Sequence, residues 1–124
     1  MNSPDKTRPL PIGEAARHLG LSEDALRYYE REGLIGPLPR DAAGRRQYSD
    51  ADLAWVAVVI CMRDAGLGIT DLRRFTALLR RDDEPAERIA FLQGRLAELG
   101  ERRDALTRAM GILEEKIDHF GARS

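Results

Sequence analysis

Between Ile89 and Phe120 the apolar residues fall on a spacing that a single small fold cannot absorb. Ile89, Leu92, Leu96, Leu99, Leu106, Met110, Leu113, Ile117 and Phe120 alternate by three and four, and Arg103 holds the one seam position that breaks the series. A seven-residue repeat sustained in this way is the pattern of a coiled coil, because a stripe at that period keeps facing the same neighbour. Roughly 34 helical residues at about 1.5 Å each give about 50 Å of helix, far longer than the domain it leaves. Such a seam cannot be buried within one chain of 124 residues, so it predicts a homodimer paired through residues 85–120. Gly94, Gly100 and Gly111 lie off the seam, each less favourable than Ala by about 1 kcal/mol, so the helix depends on its partner. A charge at Arg103 favours one register and calls for a counter-charge. Parallel and antiparallel pairing both stay open.

Residues 11–80 leave room for one further domain. Ile12, Ala15, Ala16 and Leu19 recur at i, i+3, i+4 and i+7, which predicts a first helix with one apolar face. Gly20 supplies a left-handed stop, Leu21 buries in the angle, and Ser22 caps a second helix that carries Glu23 and Asp24 in its first turn. Two short helices joined by a three-residue turn form a helix-turn-helix. The second helix is expected to stop at Gly33, with Leu34 and Ile35 folding back onto the core.

From Gly36 to Ser49 the chain reads Pro-Leu-Pro-Arg, Asp-Ala-Ala-Gly, then Arg-Arg-Gln-Tyr, which predicts two short strands around a glycine-containing loop. That hairpin is the wing. Ser49 followed by Asp52 forms a capping box for a third helix beginning near Asp50. This helix is apolar nearly all round, through Leu53, Trp55, Val56, Val58, Val59, Ile60 and Met62, so the small domain can cover only part of it. Gly66-Leu67-Gly68 breaks it, a fourth helix runs from about Ile69 to Leu79, and Asp82-Asp83-Glu84-Pro85 starts the coil helix. The fold class is therefore all-α with a small β wing: a winged helix-turn-helix domain followed by a long dimerising coiled-coil helix.

Composition narrows the function by exclusion. The 20 Lys+Arg nearly cancel the 21 Asp+Glu, so any face that meets a polyanion is a local patch. Met1 to Pro11 is polar and proline-rich, unlike a secretory signal, and the longest apolar run, Leu53 to Met62, is about half the 20 or so residues that span a membrane. One cysteine can form neither an internal disulfide nor a multi-cysteine zinc site. These features predict a soluble cytoplasmic protein without a membrane partner. No nucleophile with a base, carboxylate pair or phosphate-binding loop stands out, so no enzyme and no catalytic residue is expected. His18 and His119 lie far apart without a cysteine cluster, and neither a metal nor a cofactor is expected. Arg80-Arg81 and Arg102-Arg103 read as solvated or pairing residues.

A symmetric dimer of winged helix-turn-helix units reads palindromic double-stranded DNA, its second helices in the major groove and its wings on flanking phosphates. The parts also resemble a family. Ile12-Gly13-Glu14-Ala15-Ala16, Leu26-Arg27-Tyr28-Tyr29-Glu30, Gly33-Leu34-Ile35, Gly44-x-Arg46-x-Tyr48 and Arg63-x-x-Gly66 look like the MerR family of bacterial transcriptional regulators, over about residues 11–80. That resemblance implies DNA contacts from Arg27 and Tyr28 on the recognition helix, Arg45 and Arg46 on the wing, and Arg63 at the second wing. It implies a homodimer that distorts an overlong promoter spacer so that RNA polymerase can use it. Arg suits phosphate or guanine, and a tyrosine hydroxyl can position the backbone. Tyr29 reads equally as core. Asp24 stands where the family often has a basic or neutral residue, and it repels phosphate unless it accepts from a cytosine amino group. Arg45 replaces a common aromatic, and Gly68 replaces a usual serine cap.

The signal is a separate question. The chain has no cysteine at the start of the coil or after it, where metal-sensing relatives place theirs. The segment Trp55-Val56-x-x-x-Ile60-Cys61-Met62-Arg63-x-Ala65-Gly66-Leu67 resembles the AdhR-like and NmlR-like branch, which responds to aldehyde and thiol stress. The resemblance makes Cys61 a candidate sensor for aldehydes or other electrophiles. A small buried hydrophobe is the alternative reading of Cys61. For the whole chain the alternatives are an architectural or excisionase-like DNA-binding protein without an inducer, and a coiled-coil interaction adaptor.

Overall fold

Pro11 closes a two-residue strand, β1 (Leu10–Pro11), and stands as the N-cap of helix α1 (Ile12–Leu19). The computed structural model describes residues 8–81 and 84–122, and the chain divides into two compact units after Arg81. In the first unit α1 buries the small Ala15 and Ala16. Gly20 then turns left-handed at φ 70°, and the Leu21 N–H donates to the Ala16 carbonyl at 3.0 Å. That geometry is open to glycine with little strain and ends the helix as the sequence predicts. Ser22 caps helix α2 (Glu23–Arg31), its hydroxyl accepting from the Ala25 N–H at 3.0 Å. Past the Glu32 cap, Gly33 has φ 77° and Leu34 donates back to the Tyr29 carbonyl. Leu34 and Ile35 are buried, as expected.

The expected wing hairpin forms around Gly44 with the Asp41 N–H donating to the Arg45 carbonyl at 2.8 Å, but it is shorter than expected and its longer pairing lies outside the wing. Strand β2 (Gln47–Tyr48) pairs antiparallel with β1, Leu10 opposite Tyr48 and Pro11 opposite Gln47. Within the wing a single bridge joins Arg40 to Arg46. The reason lies in Pro37 and Pro39, which have no N–H to give a ladder. Pro39 contributes its carbonyl instead, accepting from the Gln47 N–H at 2.8 Å. The tip is shaped by Asp41, whose carboxylate accepts from the Ala43 and Arg45 N–H groups at 2.9 Å each.

Helix α3 (Asp50–Asp64) opens with the predicted capping box: the Ser49 hydroxyl accepts from the Asp52 N–H at 3.1 Å, and the Asp52 carboxylate accepts from the Ser49 N–H at 3.0 Å. Its inner face places Leu53, Val56 and Val59 in a core shared with Leu26, Tyr29, Leu34, Tyr48, Leu67 and Leu72. The Trp55 indole N–H donates to the Leu34 carbonyl at 2.7 Å, and its ring stacks on Phe75 of α4 (Ile69–Leu79). Gly68 caps α4 without a side-chain acceptor. The outer face of α3 stays uncovered, with Ala54, Ala57, Val58 and Cys61 all exposed. That exposure agrees with an apolar helix that one small domain cannot enclose.

The second unit is one helix, α5 (Pro85–Gly121). Its 37 residues extend about 55 Å at about 1.5 Å each. Proline occupies the first turn, where its missing N–H goes unused. Asp82 and Asp83, expected at the start of this helix, lie outside the described residues. No residue of α5 is buried. The seam side chains Ile89, Leu92, Leu96, Leu106, Met110, Leu113, Ile117 and Phe120 are exposed, Leu96 to 71%. Ile112 and Phe91 are apolar outside the seam, Ile112 exposed and Phe91 partly so. Phe91 packs beneath the Arg95 guanidinium.

Candidate nucleic-acid interface

Helix α2 turns Leu26 and Tyr29 into the core and leaves the intervening residues outside. Tyr28 is 41% exposed, with the Arg31 guanidinium 5.8 Å from its ring centre. Arg27 beside it donates from Nη1 to Asp24 at 3.0 Å and from Nη2 to Glu23 at 3.2 Å. The two acids predicted to complement the helix dipole are thus also the partners of the predicted DNA-contacting arginine. Asp24 is not a lone repelling charge.

Tyr29 sits in the core yet keeps its hydroxyl at the edge, where it accepts from Arg63 Nη1 at 2.5 Å. Arg63 also pairs with Asp64 at 2.8 Å. The Asp64 hydrogen bond, then the Tyr29 one, raises the arginine's already high pKa, so its charge is permanent. This contact ties the end of α3 to α2 and sets where Arg63 is presented.

Arg46 is drawn inward. Its Nε donates to Glu30 of α2, and the two side chains are 24% and 17% exposed. Glu30 accepts from the Leu38 N–H at 3.3 Å as well. Burial pushes the Glu30 pKa up, but the Arg46 and Leu38 hydrogen bonds and the charges of Arg46 and Arg40 outweigh it and hold the carboxyl below its ordinary range. The chain passes close at Gly36, where φ is 80° and a Cβ would come within 3.3 Å of Glu30. Only glycine fits that approach without displacement. Tyr48 lies fully buried alongside, its hydroxyl pushed up to about 12 by burial first and by Glu30 second, so it stays neutral.

Arg45 points outward from the wing tip and pairs with Asp41 at 3.2 Å. The Arg45 backbone N–H is the main cause that lowers the Asp41 pKa, so that carboxylate stays charged and fixes the loop. On the opposite flank of α2, Arg73 of α4 pairs with Glu32 and donates to its carbonyl. Asp41 and Glu32 were not singled out from sequence, and Glu30 entered only as the end of the Leu26–Glu30 motif, without a partner. The one available signal was acids set among arginines, which does not say who pairs with whom. Cys61 is exposed on α3, so within one chain the buried alternative does not hold. Among the described residues no group of three His, Cys, Asp or Glu could hold a metal ion, and no helix is long and apolar enough to cross a membrane.

A capped recognition helix with outward Arg and Tyr, a wing braced against it, and a following helix end that adds another arginine define a winged helix-turn-helix DNA-binding transcriptional regulator. Residues 10–79 match the family described as MerR HTH family regulatory protein, and the chain belongs to that family. It is 42% identical over 76 residues to the HTH-type transcriptional regulator AdhR of Bacillus subtilis, a match that covers 61% of this chain and 54% of that protein's length. A crystal structure of a MerR family transcriptional regulator from Listeria monocytogenes superposes with a TM-score of 0.82 at 39% identity, covering 90% of this chain and 85% of the other. HiNmlR, a MerR family regulator lacking the sensor domain and crystallised bound to promoter DNA, superposes with a TM-score of 0.78 at 28% identity, covering 90% of each chain. These similarities bear out the resemblance to the AdhR-like and NmlR-like branch.

Proposed function

We propose that the chain acts as a homodimer that binds a palindromic promoter site, distorts the duplex so that RNA polymerase can use it, and takes its signal from aldehydes or other electrophiles at Cys61. The observation that carries this reading is the outward display of Arg27 and Tyr28 on a capped α2, in a fold shared with a relative crystallised on promoter DNA. Residues 11–80 bind DNA and residues 85–120 pair the two chains. Arg27 reaches base edges, Tyr28 positions the backbone, and Arg45 and Arg63 take flanking phosphates. Arg46 contributes mainly by holding the wing against α2, its Nε already given to Glu30. The exposed seam of α5 supports pairing, because apolar side chains at that period gain by facing a second helix. Bending a promoter takes a few kcal/mol, which contacts outside the recognition helix supply.

Cys61 lies on the exposed apolar face of α3 with Ala54, Ala57 and Val58. Its thiol can add to an aldehyde carbonyl: one S–C bond forms, the carbonyl electron pair moves to oxygen, and the thiol proton ends there, with no redox partner. A polar adduct on that face would alter how it packs and so bias the orientation of the two DNA-binding units. The test is promoter occupancy and transcript level in cells with and without an aldehyde challenge, for the native protein and for Cys61→Ser. Occupancy without aldehyde in both, with induction lost in Cys61→Ser, is the expected result. Normal induction in Cys61→Ser would sink the sensor assignment and leave promoter binding standing.

A further inference from the structure

A carboxylate on the outward side of a recognition helix is at odds with a polyanionic partner, and Asp24 is 95% exposed there. The structure gives it a neighbour with a purpose. Arg27 Nη1 donates to Asp24 at 3.0 Å while Nη2 donates to Glu23 at 3.2 Å. Glu23 sits further back, its Oε2 lying 3.4 Å from where a Cβ on Gly13 of α1 would stand. Glu23 therefore braces the guanidinium from behind, and Asp24 reaches outward beside it.

This places N–H donors and a carboxylate acceptor side by side on α2, because a guanidinium has five N–H groups and these two bonds leave others to donate. A phosphate presents only acceptors and meets repulsion from Asp24. In the major groove a G·C pair presents the N7 and O6 acceptors of guanine and, next to O6, the amino donor of cytosine, whereas an A·T pair interleaves its donor between acceptors. The order acceptor, acceptor, donor complements the Arg27 donors followed by the Asp24 acceptor. We propose that Arg27 and Asp24 form one reading unit for a G·C pair in each half-site, with Glu23 as the positioning residue; this rests on the promoter-binding reading above. Both acids also occupy the positive end of α2, where a phosphate would otherwise bind without regard to sequence.

The test is selection from randomised double-stranded DNA by the full chain, followed by anisotropy titrations of the selected duplexes. Native protein should select a half-site containing one G·C pair whose replacement by A·T weakens binding about tenfold or more. Asp24→Ala should flatten the preference at that pair to within about threefold while keeping the flanking ones, and Asp24→Asn should move it from cytosine toward adenine. Both should bind unrelated DNA more tightly than the native protein. The Asp24 side chain is almost wholly solvent-exposed, so unchanged helical melting serves as the folding control. If Asp24→Ala tightens every duplex alike and keeps the preference, Asp24 only repels and the inference is overturned. Selected sites without a G·C pair sensitive to Asp24 overturn it as well, with promoter binding intact. Selection of no sequence by the native protein overturns both readings.

Discussion

Glu30 joins two elements of the first unit through one side chain. It joins α2 to the wing through Arg46 and receives the Leu38 N–H, and these partners outweigh burial to hold its pKa below the ordinary 4.5. A depressed carboxyl pKa contributes stability that is fully present above the unfolded value and is lost as pH falls through the folded one. Glu30→Gln should lower stability by about 1–3 kcal/mol near neutral pH, and that difference should shrink in urea melts below about pH 4. An equal loss at both pH values would contradict the assignment. Arg45 and Arg46 make a second comparison. If Arg45 meets phosphate, Arg45→Gln reduces the slope of log K against log salt by about 1. Arg46→Gln should instead reduce thermal stability and change that slope less, since its Nε is committed to Glu30. The outward places of Arg27 and Tyr28 were expected from the family resemblance carried by the Leu26–Glu30 motif, and both side chains do lie outside the core. The inward turn of Arg46 was not expected, because its counter-charge is sixteen residues away and local pattern does not encode that pairing.

The elements that follow local rules were the ones legible in the sequence. Gly20, Ser22 and the Ser49/Asp52 box act on backbone groups within four residues, and each appears where spacing put it. Ser22→Ala and Ser49→Ala should each remove about 1 kcal/mol of stability in thermal melts, and Ser22→Ala should also weaken DNA binding because α2 begins there. The wing was legible only in part, for the converse reason. Its second strand pairs with Leu10–Pro11, almost forty residues earlier, while Pro37 and Pro39 limit the pairing inside the wing to the one bridge from Arg40 to Arg46. Periodicity can report that a strand exists, but its partner is chosen by tertiary packing. The exposed stripe on α3 was foreseen as a helix too apolar for one cover, although which residues stay outside depended on where the core closed.

Among the described residues, three surfaces remain that a lone protomer does not satisfy: the outward face of α2, with its charges partly paired, the apolar outer face of α3, and the seam of α5. If the seam pairs two chains as proposed, Leu106 and Met110 near its middle carry much of the contact. Replacing both with Lys should shift sedimentation from dimer to monomer at micromolar protein while the first unit keeps its fold. Arg103→Leu should act in the opposite sense, tightening the dimer while loosening its choice of register. Symmetric recognition requires two chains to use two copies of α2 on one site. Titration of the full chain onto a palindromic promoter duplex, its scrambled counterpart and a single half-site, over a range of salt, tests this directly. Symmetric recognition should give two chains per palindrome, a steep negative salt slope and an affinity for the palindrome about a thousandfold or more above that for scrambled DNA. One chain per duplex, or equal affinity for the palindrome and the scrambled sequence, would contradict it.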